Sequence, residues 1–90
     1  MSTFKLVVST PDGNKFSGDA AMLSVRGTEG DLAIMSGHIP FITAVKPCDC
    51  TIVLDDGSEK KAHTEGGLLT VSADETTLLS SSFSWNGDSK

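Results

Sequence analysis

The chain has 90 residues, 38% of them hydrophobic, with seven basic against twelve acidic residues and a net charge of −5. That length suits one small domain with a thin core, which leaves much surface exposed unless a partner covers it. Seven dispersed Lys and Arg residues form no basic stripe, which argues against nucleic acid and against direct binding to an anionic membrane.

The N-terminus, MSTFKLVVSTPDG, shows no apolar run behind a basic start, so no secretory leader is expected. The apolar runs are only a few residues long, too short to cross a bilayer as helices. Helical spacing is nearly absent, and short runs of period two recur instead. Phe4, Leu6 and Val8 alternate with Lys5, Val7 and Ser9, and Thr10-Pro11-Asp12-Gly13 follows as a turn. Ala21, Leu23 and Val25 then alternate with Met22, Ser24 and Arg26.

The stretch from Gly27 to Pro40 reads as a loop of mixed character, with acidic tips at Glu29 and Asp31 and glycines at 27, 30 and 37. Alternation resumes from Phe41 to Val45. Thr51 to Leu54 leads into Asp55-Asp56-Gly57-Ser58, the strongest hairpin signal in the chain, and Glu59 to Thr64 is the return strand. Gly66-Gly67 breaks it. Leu68 to Val71 and Thr76 to Trp85 read as the two last strands, joined at Ala73-Asp74-Glu75, with Leu79, Phe83 and Trp85 sharing one face of the second. Strands at about ten-residue spacing with turn chemistry between them predict an all-β antiparallel sandwich. Residues 1–85 are expected to form the single domain, and the polar 86–90 a disordered tail.

Three constellations bear on chemistry. Cys48-Asp49-Cys50 with His38 or His63 offers metal donors, but Cys-x-Cys supplies two ligands where structural zinc wants four. A disulfide at that spacing would be strained, so the thiols are expected to be reduced. Ser36-Gly37-His38 brings a hydroxyl near an imidazole without the strand–turn–helix setting of a nucleophile. Glu29 and Asp31 flank Gly30 as paired carboxylates do in acid–base sites, although a solvated loop tip is the commoner case. Gly27-x-x-Gly30 lacks the lysine and helix of a phosphate loop. No catalytic residue, metal or cofactor is expected.

Three blocks carry a resemblance. "FKLVVSTPDG" with the following "FSG", "GTEGDLAIMSGHIPFITAVKP" and "EGGLLTVSADETTLL" resemble, in order, three blocks of the ATP synthase epsilon subunit's N-terminal domain (called delta in mitochondria). The middle block is similar to the family's Gly-Ser/Thr-Glu-Gly-Glu/Asp-Leu-Gly-Ile-x-Pro-Gly-His-Ala-Pro-Leu-x-Thr-x-Leu-Lys-Pro. Ala33, Ser36 and Ile39 depart from it where the family shows Gly, Pro and Ala, and Asp49 departs just beyond it. Ala33 is expected to demand a wider approach of the neighbouring backbone.

The resemblance implies a β-sandwich of about ten short strands that acts as a non-catalytic rotor part of the central stalk, coupling c-ring rotation to the gamma subunit during proton-driven ATP synthesis. It implies that Thr10, His38, Ile39, Pro40, Phe41, Ile42 and Thr43 face gamma. Thr28, Glu29, Gly30 and Asp31 would face the c-ring. Membrane association would come only through the complex, on the cytoplasmic face of a bacterial inner membrane. The sequence ends at Lys90, before the family's C-terminal helical hairpin, so the braking and ATP-binding roles of that arm are not carried over. The alternative is a stand-alone interaction domain of the same fold that no longer serves the synthase.

Overall fold

The computed structural model describes residues 3–27, 30–37 and 39–85. The expectations placed on Thr28, Glu29 and His38, and on the tail 86–90, lie outside them. Ten strands follow in chain order: β1 (Phe4–Thr10), β2 (Gly13–Ala20), β3 (Met22–Gly27), β4 (Gly30–Met35), β5 (Phe41–Val45), β6 (Cys48–Val53), β7 (Glu59–Thr64), β8 (Gly67–Val71), β9 (Glu75–Ser80) and β10 (Phe83–Trp85). They form two layers of five, as the alternating patterns predict. One layer runs β2-β1-β9-β8-β5 and the other β10-β7-β6-β3-β4. The layers meet at a single bridge between Gly27 and Val45. All pairings are antiparallel except β1 with β9, which is parallel.

Each strand turns one side inward, and the inward sides make the core. Leu6, Val8, Val45, Leu69, Val71 and Leu78 come from the first layer. Leu23, Val25, Ile34, Cys50, Ile52, Ala62 and Phe83 come from the second. The sandwich side far from the Gly27–Val45 bridge is closed by aromatic rings. Trp85 on β10 meets Phe83 and, across the layers, Phe16 on β2, both edge to face at 5.1 and 6.2 Å between ring centres. Lys60 Nζ lies 5.0 Å from the centre of the Trp85 ring, a cation–π contact.

The structure differs from the sequence reading in four places. Residues 30–35 are a strand, not a loop. Leu32 and Ile34 alternate inward, and β4 pairs with β3 from Gly27↔Gly30 to Met22↔Met35. The polar segment from Gly13 to Ala20 is also a strand. It lies at a sheet edge and sends only Phe16, Gly18 and Ala20 inward, so its apolar alternation is faint. Thr76 to Trp85 is two strands in different layers, broken at Ser81-Ser82, so Leu79 does not share a face with Phe83 and Trp85. Finally, Ala33 is exposed and pairs in register with Ser24, so its Cβ forces no wider approach.

The Asp55–Ser58 hairpin is present. Leu54 N–H donates to the Ser58 carbonyl at 2.8 Å, and the Asp56 carboxylate accepts from both the Ser58 amide (2.9 Å) and hydroxyl (2.7 Å). Those two bonds lower the Asp56 pKa from its ordinary value.

Two of the chain's crossings between layers, at 64–67 and 80–83, run side by side. The buried hydroxyls of Thr64 and Ser80 share a 2.6 Å hydrogen bond, and the Glu65 amide donates to the Ser82 carbonyl at 2.9 Å. Gly66 and Gly67 are required there. A Cβ on Gly66 would lie 2.6 Å from the Val45 carbonyl oxygen, and one on Gly67 would overlap the carbonyl of Leu79.

Candidate functional site: two unlike outer faces

The outward side of the first layer carries aliphatic residues in register. Ala44, Leu68, Leu79 and Ser9 form one row across β5, β8, β9 and β1, and Ile42, Thr70, Thr77 and Val7 form the next. Ile42 is 66% exposed, Leu79 50% and Leu68 43%. Ile39, just before β5, is 77% exposed and continues the apolar character past the sheet. An exposed aliphatic cluster of this kind is a feature of surfaces that meet other proteins.

The run from 39 to 43 does not act as one block. Ile39, Pro40 and Ile42 are exposed. Phe41 packs against the core, and Thr43 is half-buried on the same inward side of β5. Thr10 ends β1. Its hydroxyl accepts from the Asp12 amide and donates to the Gly13 carbonyl, both at 3.2 Å, so its oxygen holds the turn together. Leu68, Leu79, Ala44 and Val7 were not expected as site residues. A signal for some of them existed: in the doublets Phe41-Ile42, Leu68-Leu69 and Leu78-Leu79, a strand of period two must send one member of each pair outward.

The outward side of the second layer is charged around Arg26, Asp31, Asp49 and His63, and apolar at one end, where the 52% exposed Met35 pairs in register with Met22, and Met22 with Val53. Arg26 on β3 donates from Nε to Asp31 on β4 at 2.9 Å, so the Asp31 carboxylate is already paired. Gly30 and Asp31 belong to β4 and pair with Gly27 and Arg26 of β3. A shallow groove of about 360 Å³ runs beside this pair, lined by Ser24, Arg26, Asp31, Cys48 and Asp49 among others. Asp49 on β6 stands opposite His63 on β7, and His63 touches two carboxylates: Nδ1 lies 2.9 Å from Asp49 Oδ1 and Nε2 lies 2.9 Å from Glu65 Oε2. The bond to Asp49 is the largest cause holding its pKa above the ordinary 6.5; desolvation opposes it, and the bond and charge of Glu65 add to the rise.

Among the described residues this geometry does not gather the proposed metal donors Cys48, Cys50 and His63; His38 lies outside them. Cys48 and Cys50 pair with Thr64 and Ala62 on the inward side of the layer, whereas His63 points outward. Cys50 is buried, and burial, with Cys48 and Asp49 adding, pushes its thiol up to about 12, so it stays protonated and unreactive. Cys48 Sγ accepts the Arg26 amide at 3.3 Å. The two carboxylates at His63 lie on opposite sides of its ring and do not converge on one ion. Among the described residues no three His, Cys, Asp or Glu side chains are grouped to hold a metal. Ser36 and Gly37 form an exposed turn.

Comparison with known proteins fits this architecture. Residues 3–86 match the beta-sandwich domain of the ATP synthase delta/epsilon chain. Among solved structures, the chain is similar to one in the Euglena gracilis mitochondrial ATP synthase (OSCP/F1/c-ring, rotational state 1), with a TM-score of 0.90 and 14% identity over 100% of this chain and 57% of that one. It is also similar to a chain of the Tetrahymena thermophila mitochondrial ATP synthase central stalk and c-ring, with a TM-score of 0.75 and 16% identity over 91% of this chain and 66% of that one. At such identities the likeness is one of fold. The chain thus spans 57% and 66% of those two solved chains.

Proposed function

Because the chain belongs to the ATP synthase delta/epsilon beta-sandwich family, we propose that it is a non-catalytic part of the rotor stalk, coupling rotation of the c-ring to the gamma subunit. The observation that carries this reading is the aliphatic face formed by Ile42, Leu68 and Leu79, which extends at Ile39 into the segment proposed to meet gamma. Burial of such a face yields roughly 25 cal/mol per Å² of apolar surface, which suits a lasting subunit contact. A sandwich closed by a seam on one side and by aromatic rings on the other makes a stiff body, which torque transfer needs.

In this reading Ile39, Pro40 and Ile42 touch gamma directly. Phe41 and Thr43 shape β5 from within, Thr10 holds the turn after β1, and His38 is proposed to face gamma with them. Thr28, Glu29, Gly30 and Asp31 face the c-ring. Asp31 arrives there already paired with Arg26, so it sets register more than it attracts a basic partner. Association with the membrane is peripheral and comes through the complex. The proposed address is the cytoplasmic face of a bacterial inner membrane, supported by two free thiols that suit a reducing compartment. Both solved neighbours are mitochondrial.

The test is co-purification of the 90-residue chain with the gamma subunit of the same genome, as wild type and as His38→Cys. Co-elution with a crosslink through position 38 is the expected result. A folded domain that leaves soluble gamma unbound overturns the rotor reading and favours a stand-alone interaction domain.

A further inference from the structure

The second layer's charged face contains an arrangement that the rotor reading does not use. Both ring nitrogens of His63 lie 2.9 Å from carboxylate oxygens. A neutral imidazole has one N–H and one lone pair, so it can donate to only one of them, and its lone pair would oppose the other. Only the imidazolium, with two N–H donors, satisfies both contacts. The two acids also differ in how they are held. Asp49 sits opposite His63 in the β6–β7 ladder. Glu65 lies beyond the end of β7, on the first crossing, where its amide is bonded to Ser82 of the second crossing. The adjacent Gly66 amide donates to Thr64 Oγ1 at 3.1 Å, and Gly66 packs on the backbone of Val45, Lys46 and Pro47.

We propose that Asp49, His63 and Glu65 form a proton-operated clasp on the paired crossings between the two layers, closed while His63 is an imidazolium and released on the Glu65 side when it is neutral. The Asp49 contact survives release because the β-ladder holds that residue in place. The Glu65 contact is lost because its carboxylate then faces a lone pair. The released segment borders Val45 and Pro47, so the device governs the stiffness of the joint between the layers.

Other charges facing His63 are few. On its own strand Lys61 follows the same outward side and is paired with Glu59 at 3.1 Å. On β6 the facing group is Asp49, beyond which Arg26 of β3 is paired with Asp31 of β4. β10 places the uncharged Ser84 opposite His63. Lys46, in the β5–β6 connection, is exposed where that connection passes Gly66. Neither Lys61 nor Arg26 is unpaired, so neither replaces the proton that closes the clasp.

The sign of the effect follows from linkage. His63 has a raised pKa in the folded chain, so its contribution is fully present below the ordinary histidine value of 6.5. It is lost as pH rises through the raised value. The ring is partly exposed, so salt weakens the effect and the test belongs at low ionic strength.

The test is an NMR titration of the His63 ring in the full chain, with hydrogen exchange read at the Glu65 and Gly66 amides. His38→Gln assigns the signals, since the chain has two histidines. His63 is expected to titrate above a free histidine. Protection of the two amides, corrected for intrinsic exchange, should fall across that titration by about tenfold for each unit by which Glu65→Gln lowers the His63 pKa. Glu65→Gln should lower the His63 pKa and flatten the fall, and His63→Gln should remove the pH dependence. If His63 titrates at or below the free value, or if the protection does not change while His63 titrates high, the clasp does not exist.

Discussion

The two outward faces of this sandwich are built from the same kind of strand and differ in character, although Met35 leaves an apolar spot on the second. On the first layer, Ile42, Leu68 and Leu79 stand in water with Thr70, Thr77 and Val7 between them. On the second, Arg26–Asp31, Asp49–His63–Glu65 and Lys61–Glu59 satisfy one another. A face whose charges are paired has little to gain from a partner, because surface pairs exchange one solvated contact for another at a net of about 0–1 kcal/mol. An aliphatic face gains by being covered. The comparison therefore favours the aliphatic side as the larger docking surface, which the proposed contact with gamma uses.

The most severe way to break this contrast is to spoil the crossing that assigns β7 and β8 to different layers. Gly67→Ala places a Cβ on the Leu79 carbonyl and should cost about 3 kcal/mol or more in urea unfolding. An unchanged midpoint would mean that the crossing is looser than described and that Leu68 need not face outward.

A direct test of the contrast is to charge each face in turn. Ile42→Asp with Leu79→Asp alters only exposed side chains, so stability should move by about 0.5 kcal/mol per site or less. Affinity for gamma should nonetheless fall about tenfold or more, since aliphatic anchors are lost. Lys61→Glu on the other face should leave affinity within about twofold, and equal losses on both faces would cancel the distinction. Smaller than the affinity loss from charging the aliphatic face is the effect expected at the hairpin that supports the charged face. Gly57 adopts a φ of +89° with open space around it, so Gly57→Val costs backbone strain alone. About 1 kcal/mol is expected as a lowered melting temperature.

Much of this molecule is legible in its residues. Phe4, Leu6 and Val8 announce β1, Asp56-Gly57 announces the hairpin, and the Gly66-Gly67 break falls on a crossing. The segments misread as loop or left unassigned, β4 and β2, are edge strands. Their exposed backbone needs less apolar cover, so polar residues and glycine dilute the period. The break at Ser81-Ser82 had a signal in three consecutive serines, whose hydroxyls favour turns. It was masked by the apolar residues on either side. For the candidate site, the sequence pointed to Ile39 and Ile42 but not to Leu68 and Leu79, which lie 26 and 37 residues beyond Ile42 (68 − 42 and 79 − 42) and join it only through the β5–β8–β9 ladder.

The residues alone thus determined an all-β chain and most of the places where it turns, because period two and turn chemistry act over a few neighbours, while three blocks in order carried the resemblance to the family. Period two also fixes which residues share a side of a strand. It does not say which side another layer will cover, and in doublets such as Leu68-Leu69 both sides carry a leucine. Only the tertiary structure decided that Leu69 goes inside and Leu68 outside, that β1 and β9 run parallel, and that Asp49 and Glu65 meet on one imidazole. Those outcomes depend on how the two layers are joined through Gly66 and Gly67, where backbone from distant segments must pass closer than any side chain allows.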